Sequence, residues 1–337
     1  MAKGLWGGVG PAWPVFLLGL VLLLAACSGN TVDPTEPPVA AERPSGSAPV
    51  SSELSQINDF LYQLQDLDLK AVGESRYDLV VMDYAANGTA DTEYSAGEIQ
   101  ALRESPGGPK VLLAYMSIGE AEDYRFYWQD GWGVGNPKWL DAENPNWKGN
   151  YKVRYWEEEW RQLIFDYTDR LIAAGFDGAY LDIIDAYQYF TEQGAPDRGA
   201  SEERDESPSQ RMADLVAAIA SHAKAEDPDF LIFPQNAPEL ADIVPEYLDY
   251  VDGIGQEDIY YGYDEGGVAT PASVTAELER RLDRFGERGK LVLTIDYATA
   301  VDSADDAYAR SIANGYVPFV TTRELDRLTI NSGHEPD

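Results

Sequence analysis

Cysteine and histidine are almost missing from this chain of 337 residues, which contains one cysteine, Cys27, and two histidines, His222 and His334. A single cysteine excludes an intramolecular disulfide. Two histidines leave little material for a Ser-His-Asp triad or for a histidine-rich metal site. We therefore expect neither a metal ion nor an organic cofactor in the functional site.

Positive charge is also scarce, because 25 Lys and Arg residues stand against 59 Asp and Glu residues, for a net charge of −34. This balance argues against a nucleic-acid partner, since phosphate backbones are bound by clustered Lys and Arg. The excess of acid is typical of a highly soluble protein or of one adapted to a salty medium. A second interpretation is attraction for a cationic substrate, such as a polymer with free amines.

The most apolar run, residues 15–24 (VFLLGLVLLL), is too short to cross a membrane comfortably. It follows the basic residue Lys3 and precedes small residues, which is the pattern of a signal peptide. The motif LAAC at positions 24–27 matches the lipobox of bacterial lipoproteins, in which the cysteine becomes the lipidated first residue of the mature chain. We predict a signal peptide over residues 1–26 and lipidation at Cys27. The alternative is a plain signal peptide with an incidental cysteine.

Residues 27–50 contain five prolines among Ser, Gly, Thr and Glu. A segment of this composition cannot bury enough surface to fold and is typical of a disordered tether. We predict that the tether holds a folded domain, residues 51–337, away from the membrane. The protein would then be exported and anchored by lipid to the cell membrane or the outer membrane, and its oligomeric state is left open.

Short apolar runs alternate with amphipathic stretches throughout the predicted domain, which is the signature of βαβ units. The runs have the near-continuous apolar character of parallel strands covered on both faces. Strands are predicted at residues 60–65, 78–84, 110–118, 178–184, 230–236, 251–257, 290–297 and 316–321. Helices are predicted at residues 95–104, 157–174, 208–226, 272–286 and 303–313.

Eight such strands in one domain favour a single (β/α)8 barrel of the α/β class. The alternative is an open doubly wound sheet, which is weakened because no Gly-rich phosphate loop follows the first strand. Two stretches, residues 119–156 and 187–207, are predicted as long loops on the catalytic face of the barrel. The first is rich in aromatic residues, and its candidate sugar-stacking rings are Trp128, Trp132, Trp147 and Trp156.

Polar side chains follow most of the predicted strands, and a barrel gathers the carboxyl ends of its strands around one mouth. The ring of candidates comprises Asp83, Tyr84, Glu120, Asp182, Asp185, Gln235, Asn236, Glu257, Asp296 and Tyr297. Hydrolysis of a glycosidic bond needs two carboxyl groups. Asp182 ends the fourth strand and Glu257 the sixth, and strands of the same parity place side chains in the same layer of a barrel. These two acids are therefore the predicted catalytic pair.

The other acids have structural alternatives. Asp185 serves either as a helix N-cap or as a sugar contact. Asp83 and Asp296 either contact substrate or hydrogen-bond neighbouring loops. Glu120 either binds substrate or pairs with a loop arginine such as Arg125.

Six segments of the chain resemble glycoside hydrolase family 114, whose named activity is endo-α-1,4-polygalactosaminidase. They are YDLVVMDYA (77–85), VLLAYMSIGEAEDYR (111–125), GFDGAYLDIIDAY (175–187), FPQNAPEL (233–240), DGIGQEDIYY (252–261) and VLTIDYA (292–298). The resemblance runs from about residue 58 to residue 328, and GFDGAYLDIIDAY and the SIGEAE turn are its most specific parts.

The resemblance implies a barrel with Asp182 as nucleophile and Glu257 as acid/base. It also implies substrate binding by the remaining strand-end residues, including Tyr115, and a retaining attack on an α-1,4-linked galactosamine-containing exopolysaccharide. One rival is a non-catalytic carbohydrate-binding lipoprotein on the same barrel, although both acids are present. Another is a metal-dependent deacetylase or hydrolase, which the shortage of histidine opposes.

Overall fold

A ring of parallel strands forms the centre of the computed structural model, which describes residues 54–192 and 207–337. The described strands are β1 (Phe60–Tyr62), β2 (Leu79–Met82), β3 (Val111–Ser117), β4 (Glu120–Glu122), β5 (Leu140–Glu143), β6 (Asn150–Val153), β7 (Gly178–Asp182), β8 (Leu231–Pro234), β9 (Gly253–Glu257), β10 (Leu291–Tyr297) and β11 (Val317–Thr321). The described helices are α1 (Leu69–Glu74), α2 (Ala96–Arg103), α3 (Glu158–Ala174), α4 (Ala186–Glu192), α5 (Pro208–Glu226), α6 (Leu240–Ile243), α7 (Ala272–Glu287) and α8 (Val301–Ala313). The predicted signal peptide and tether lie outside the described residues.

All eight predicted barrel strands are confirmed, within a few residues at each end. One ladder runs in the order β1-β2-β3-β7-β8 and a second in the order β9-β10-β11, with every pair parallel. A parallel bridge between Gln235 and Gly255 joins β8 to β9. At the other junction the rings of Phe60 and Phe319 lie 5.5 Å apart, so β1 lies beside β11 and the barrel closes.

The helices on the outside begin and end where local signals predict. Ser95 and Glu98 form a capping box at the start of α2, and Ser207 caps α5. Helix α3 ends at Gly175, which adopts φ 90° and a left-handed conformation. Trp160 and Leu171 on α3 are buried against the barrel, as the helical spacing of its apolar residues predicts. No described helix is long and apolar enough to cross a membrane.

The predicted loop at residues 119–156 contains ordered structure that the sequence analysis missed. Strands β4, β6 and β5 form a small antiparallel sheet in that order, over the carboxyl end of β3. Its strands are three or four residues long and mostly polar, so they lack the alternation that identifies a strand. The second predicted loop, residues 187–207, begins inside α4, and residues 193–206 lie outside the described part of the chain.

Glycine in β9 lets large side chains fill the barrel. A methyl group on Gly255 would lie 1.7 Å from the hydroxyl of Tyr180, and one on Gly253 would lie 2.0 Å from the ring of Phe233. Tyr180 is on β7 and Gly255 on β9, so the fourth and sixth barrel strands meet in one interior layer. Residues two positions further along both strands, Asp182 and Glu257, therefore share the next layer of the barrel.

We predict that Gly255→Ala lowers the free energy of unfolding by roughly 3 kcal/mol, because the barrel interior has no space for the added methyl group. The measurement is chemical denaturation followed by circular dichroism. The matched control is Gly286→Ala, since Gly286 is an exposed helical residue with open space at its Cβ position. We expect this control to raise the free energy of unfolding by about 0.5–1 kcal/mol. Equal effects of the two substitutions would contradict the packing described here.

Candidate active site

Asp182 and Glu257 are the last residues of β7 and β9. They lie one layer above the contact between Tyr180 and Gly255, at the carboxyl ends of two strands of the same parity. The two carboxyl groups interact electrostatically, and both also act on the phenols of Tyr62 and Tyr180 below them. The structure therefore brings the two predicted catalytic acids together at the mouth of the barrel.

Two donors on different elements hold the carboxyl group of Asp182. The hydroxyl of Tyr115 on β3 donates to Oδ2 at 2.7 Å, and the backbone N–H of Ile183 donates to Oδ1 at 2.7 Å. Asp182 is only partly buried, although protein surrounds it on most sides. A carboxyl group that is accessible to solvent and yet enclosed in this way lies in a cleft, where a substrate can reach it.

Glu257 is held by a matching pair of donors. Its Oε2 accepts from Nδ2 of Asn236 at 2.7 Å, and its Oε1 accepts from the hydroxyl of Tyr297. The amide oxygen of Asn236 accepts in turn from the backbone N–H of Glu257 at 3.0 Å and from Nε2 of Gln256 at 3.0 Å. These bonds fix which end of the Asn236 amide faces the carboxyl group, so the amide acts as a donor to Glu257.

Left-handed backbone follows three neighbouring strands at this mouth. Ile183 has φ 60°, Asn236 has φ 62° and Asp258 has φ 61°, and each lies next to a residue of the site. For a β-branched residue such as Ile183 this conformation is costly, and it persists only where the surrounding structure enforces it. The turn at Ile183 directs its N–H to Asp182. Sequence analysis missed this feature, because propensities predict no left-handed isoleucine.

Burial, and after it the negative charge of Glu257, raise the pKa of Asp182 from 3.8 to about 8. Donation from Tyr115 and from the Ile183 N–H opposes this rise only in part. At neutral pH the carboxyl group of Asp182 therefore holds a proton. Tyr115 and Tyr297 can each donate or accept, so either carboxyl group can carry that proton without losing its tyrosine partner.

Several of the other predicted substrate-binding residues are buried and bonded within the protein, as Glu257 and Tyr297 also are. Asp83 is 8 % exposed and accepts two bonds from Arg125, each 2.8 Å long. Asp296 is 1 % exposed and accepts from the backbone N–H groups of Tyr260 and Tyr261 at 2.6 and 2.8 Å. Both acids hydrogen-bond neighbouring loops, which is the structural alternative for each, and their contact with substrate stays a prediction.

Tyr84 and Gln235 are buried as well. The hydroxyl of Tyr84 donates to the carbonyl oxygen of Gly88 at 3.2 Å, and Gln235 accepts from Tyr62 at 2.9 Å. These side chains support the mouth from below. Their direct contact with substrate stays a prediction.

Glu120 is fully buried at the start of β4, and its partner differs from the predicted Arg125. Its Oε1 pairs with Lys152 and accepts from Asn144 at 2.9 Å, whereas Oε2 has no hydrogen-bond partner. Asp185 remains exposed beside this cluster, and protein around it raises the pKa of its carboxyl group while the charge of Lys152 opposes the rise. Asp185 is therefore an accessible acid three residues beyond Asp182 in the chain.

The aromatic residues of the 119–156 stretch mostly pack against one another. Trp128 contacts Trp132 and Trp132 contacts Trp139, each edge-to-face with ring centroids 5.0–5.5 Å apart. Trp156 packs against Phe190 at 4.9 Å. Trp147 differs, because half of its surface is exposed in the turn between β5 and β6. It is the one of the four predicted stacking tryptophans that presents an open ring.

The amino-acid sequence assigns the chain to a family whose activity agrees with this site. The profile of glycoside-hydrolase family GH114 matches residues 40–335. The chain belongs to this family. GH114 enzymes are glycoside hydrolases, which agrees with two carboxyl groups at the mouth of a barrel. A Deinococcus radiodurans protein is 37 % identical over 332 residues, covering 94 % of this chain and 98 % of its own. A Thermotoga maritima protein is 34 % identical over 294 residues, covering 83 % of this chain and 85 % of its own.

Two solved structures share the fold of this GH114 chain at low sequence identity. The glycoside hydrolase domain of PelA from Pseudomonas aeruginosa superposes with a TM-score of 0.61 at 21 % identity, over 81 % of this chain and 98 % of that domain. Ega3 from Aspergillus fumigatus, solved in complex with galactosamine, gives a TM-score of 0.58 at 17 % identity, over 80 % of this chain and 93 % of that one. The likeness agrees with the barrel described above.

The pKa of Asp182 leads to a prediction about stability. The carboxyl group titrates near 3.8 in the unfolded chain and at about 8 in the folded protein. The folded state therefore binds the proton more tightly, and stability falls as the pH rises through this window. Asp182→Asn removes the titrating group, so we expect its advantage in free energy of unfolding over the wild type to grow by ~1–3 kcal/mol between pH 5 and pH 8.

Denaturant titrations at the two pH values measure this difference. The matched control is Glu287→Gln, which removes one charge at the exposed end of α7, on the opposite end of the barrel. Its effect on stability should be the same at both pH values. A pH-independent effect of Asp182→Asn would show that the native carboxyl group titrates normally.

Proposed function

We propose that this protein is a retaining glycosidase that cleaves a galactosamine-containing polysaccharide, with Asp182 as nucleophile and Glu257 as general acid/base. The observation that carries the proposal is the arrangement of the two carboxyl groups. Each ends a strand of the same parity, and each is held by one tyrosine hydroxyl and one N–H donor. Two carboxyl groups sharing one proton are what the retaining mechanism requires at its start.

In the first step a carboxylate oxygen of Asp182 attacks the anomeric carbon while Glu257 transfers its proton to the glycosidic oxygen. The bond to the leaving sugar breaks, and a glycosyl ester forms on Asp182. In the second step the carboxylate of Glu257 removes a proton from water, and the hydroxide attacks the same carbon. The ester bond breaks, Asp182 leaves as a carboxylate, and Glu257 is protonated again.

The position of the shared proton is central to this assignment. Before substrate binds, the raised pKa of Asp182 favours the proton on that residue, whereas attack needs it on Glu257. The reversible hydrogen bonds of Tyr115 and Tyr297 allow the proton to move while both carboxyl groups stay in place. A cationic amine on the bound sugar would favour an ionised Asp182, because opposite charges stabilise each other in a cleft.

The choice of substrate rests on charge and on Trp147. The chain carries a net charge of −34, and Asp185 presents an accessible carboxyl group beside the catalytic pair. A polymer with free amines is drawn to such a surface. The open ring of Trp147 offers a flat apolar face for a pyranose. Galactosamine bound to the structurally similar Ega3 supports the same class of sugar.

The decisive experiment measures release of reducing ends from de-N-acetylated α-1,4-polygalactosamine. We expect Asp182→Asn and Glu257→Gln each to lower kcat at least 1,000-fold, because each removes a group that acts in the transition state. Glu287→Gln should retain wild-type turnover. Retention at the anomeric carbon, followed by NMR of the first product, tests the assigned roles, and wild-type-like turnover in either acid variant would refute them.

The same assay tests the electrostatic argument and the rival function. With the N-acetylated polymer as the control, KM for the cationic polymer should rise about tenfold between low and high salt, because salt screens the attraction. A salt-independent KM would remove charge as the basis of specificity. Binding of either polymer by the wild type with no cleavage would support the non-catalytic carbohydrate-binding alternative.

We also propose that Cys27 is lipidated and that the protein is anchored outside the cytoplasm. The support is the LAAC motif after an apolar run, followed by a Pro-rich segment that links it to the barrel. Wild-type protein should partition into the detergent phase of a membrane extract, and Cys27→Ala should not. Ser28→Ala provides the control, since it leaves the cysteine intact. Wild-type protein found in the aqueous phase would refute the anchor.

A further inference from the structure

An arginine lies over the ring of each tyrosine that binds a catalytic carboxyl group. The guanidinium carbon of Arg125 lies 5.8 Å from the ring centroid of Tyr115, whose hydroxyl donates to Asp182. The same carbon is also 4.9 Å from the ring of Tyr124 and 5.4 Å from that of Tyr84, so Tyr115 is one of three rings around this cation. The guanidinium carbon of Arg323 lies 4.2 Å from the ring centroid of Tyr297, which binds Glu257. These distances are within the range of cation–π attraction. The proposed mechanism assigns no role to either arginine.

Arg125 is held far more tightly than a surface cation. Only 1 % of its side chain is exposed, and it pairs with Asp83 at 2.8 Å and with Glu122 at 2.5 Å. Asp83 directly follows β2 and Glu122 ends β4, so the guanidinium group connects the barrel to the small sheet. A buried charge with two buried partners is hard to justify for stability alone, because desolvation offsets much of the attraction.

The position of Arg125 gives it two effects on Tyr115. A cation over an aromatic face attracts the electrons of the ring and makes the phenol a stronger hydrogen-bond donor. Asp83 and Glu122 fix the orientation of the guanidinium group. The fixed planar group in turn restricts the rotation of the Tyr115 ring beside it. A stronger and better aligned donor stabilises the ionised form of the acceptor, which is the carboxyl group of Asp182.

We propose that Arg125 is a positioning residue that acts through Tyr115 to stabilise the Asp182 carboxylate. This inference rests on the proposed function, in which Asp182 must be ionised when it attacks. Other groups also face Asp182. They are Tyr62 from β1, Tyr180 from its own strand, Glu257 from β9 and Asp185 from the following turn.

A double-mutant cycle separates this proposal from a merely structural role. The variants are Arg125→Lys, Tyr115→Phe and the double variant. Arg125→Lys keeps the charge but loses the planar group that spans two carboxylates and a ring. We expect each single variant to lower kcat about tenfold with little change in KM, and Arg125→Lys to have less than a twofold effect when combined with Tyr115→Phe.

A second readout needs no substrate and so remains valid if the polymer assay fails. Infrared difference spectra, with Asp182→Asn as the reference, follow the protonated carboxyl group of Asp182 as the pH rises. Each single variant should raise its apparent pKa by roughly half to one unit, because the carboxylate loses part of its donor. The double variant should shift it no further than Tyr115→Phe does.

Arg323→Lys is the matched control, because Arg323 lies over Tyr297 on the other side of the pair. Its effect on kcat should be the same with and without Tyr115→Phe. If Arg125→Lys does not fold, the triple variant Asp83→Asn, Glu122→Gln, Arg125→Met replaces it with a neutral cluster of similar size. Equal effects of the Arg125 change with and without Tyr115→Phe, on kcat and on the infrared pKa, would overturn the proposal.

Discussion

Two carboxyl groups held close together at the mouth of a barrel repel each other, and the rest of the site is arranged around that repulsion. Burial alone raises the pKa of Asp182, and the charge of Glu257 adds to the rise. Tyrosine hydroxyls and N–H donors limit the cost by binding both oxygens of each group. The result is a pair of carboxyl groups in which Asp182 retains its proton to unusually high pH.

The barrel supplies the rigid frame for this arrangement. Glycines in β9 admit the side chains of Tyr180 and Phe233, so the interior is filled to the layer directly under the acids. Left-handed backbone at Ile183 and Asn236 then directs one donor to each carboxyl group. Strain of this kind is stable only on a well-packed support, and it is concentrated here beside the reacting groups.

Much of the fold was predictable because it depends on local patterns. Near-continuous apolar strands and amphipathic helices identified the barrel. Asp182 and Glu257 end its fourth and sixth strands, and alternate strands place their side chains in the same layer. For Asp83 and Asp296 the sequence left two roles open, contact with substrate and hydrogen bonding to a loop, for a common reason. A polar residue at a strand end gives the same sequence pattern whether its side chain faces the mouth of the barrel or a neighbouring loop. Only the bonds to Arg125, Tyr260 and Tyr261 distinguish these cases.

The sequence by itself determined the fold class and the family and predicted Asp182 and Glu257 as a pair, because these follow from hydrophobic periodicity and from short motifs. Tertiary structure alone decided which strand-end residues are accessible, which tryptophan is open, and which arginine lies over which tyrosine. Those features depend on side chains that are distant in the chain, as with Tyr115 and Asp182 or Arg323 and Tyr297. Their pairing leaves no periodic trace in the sequence, since it is set by the closure of the barrel.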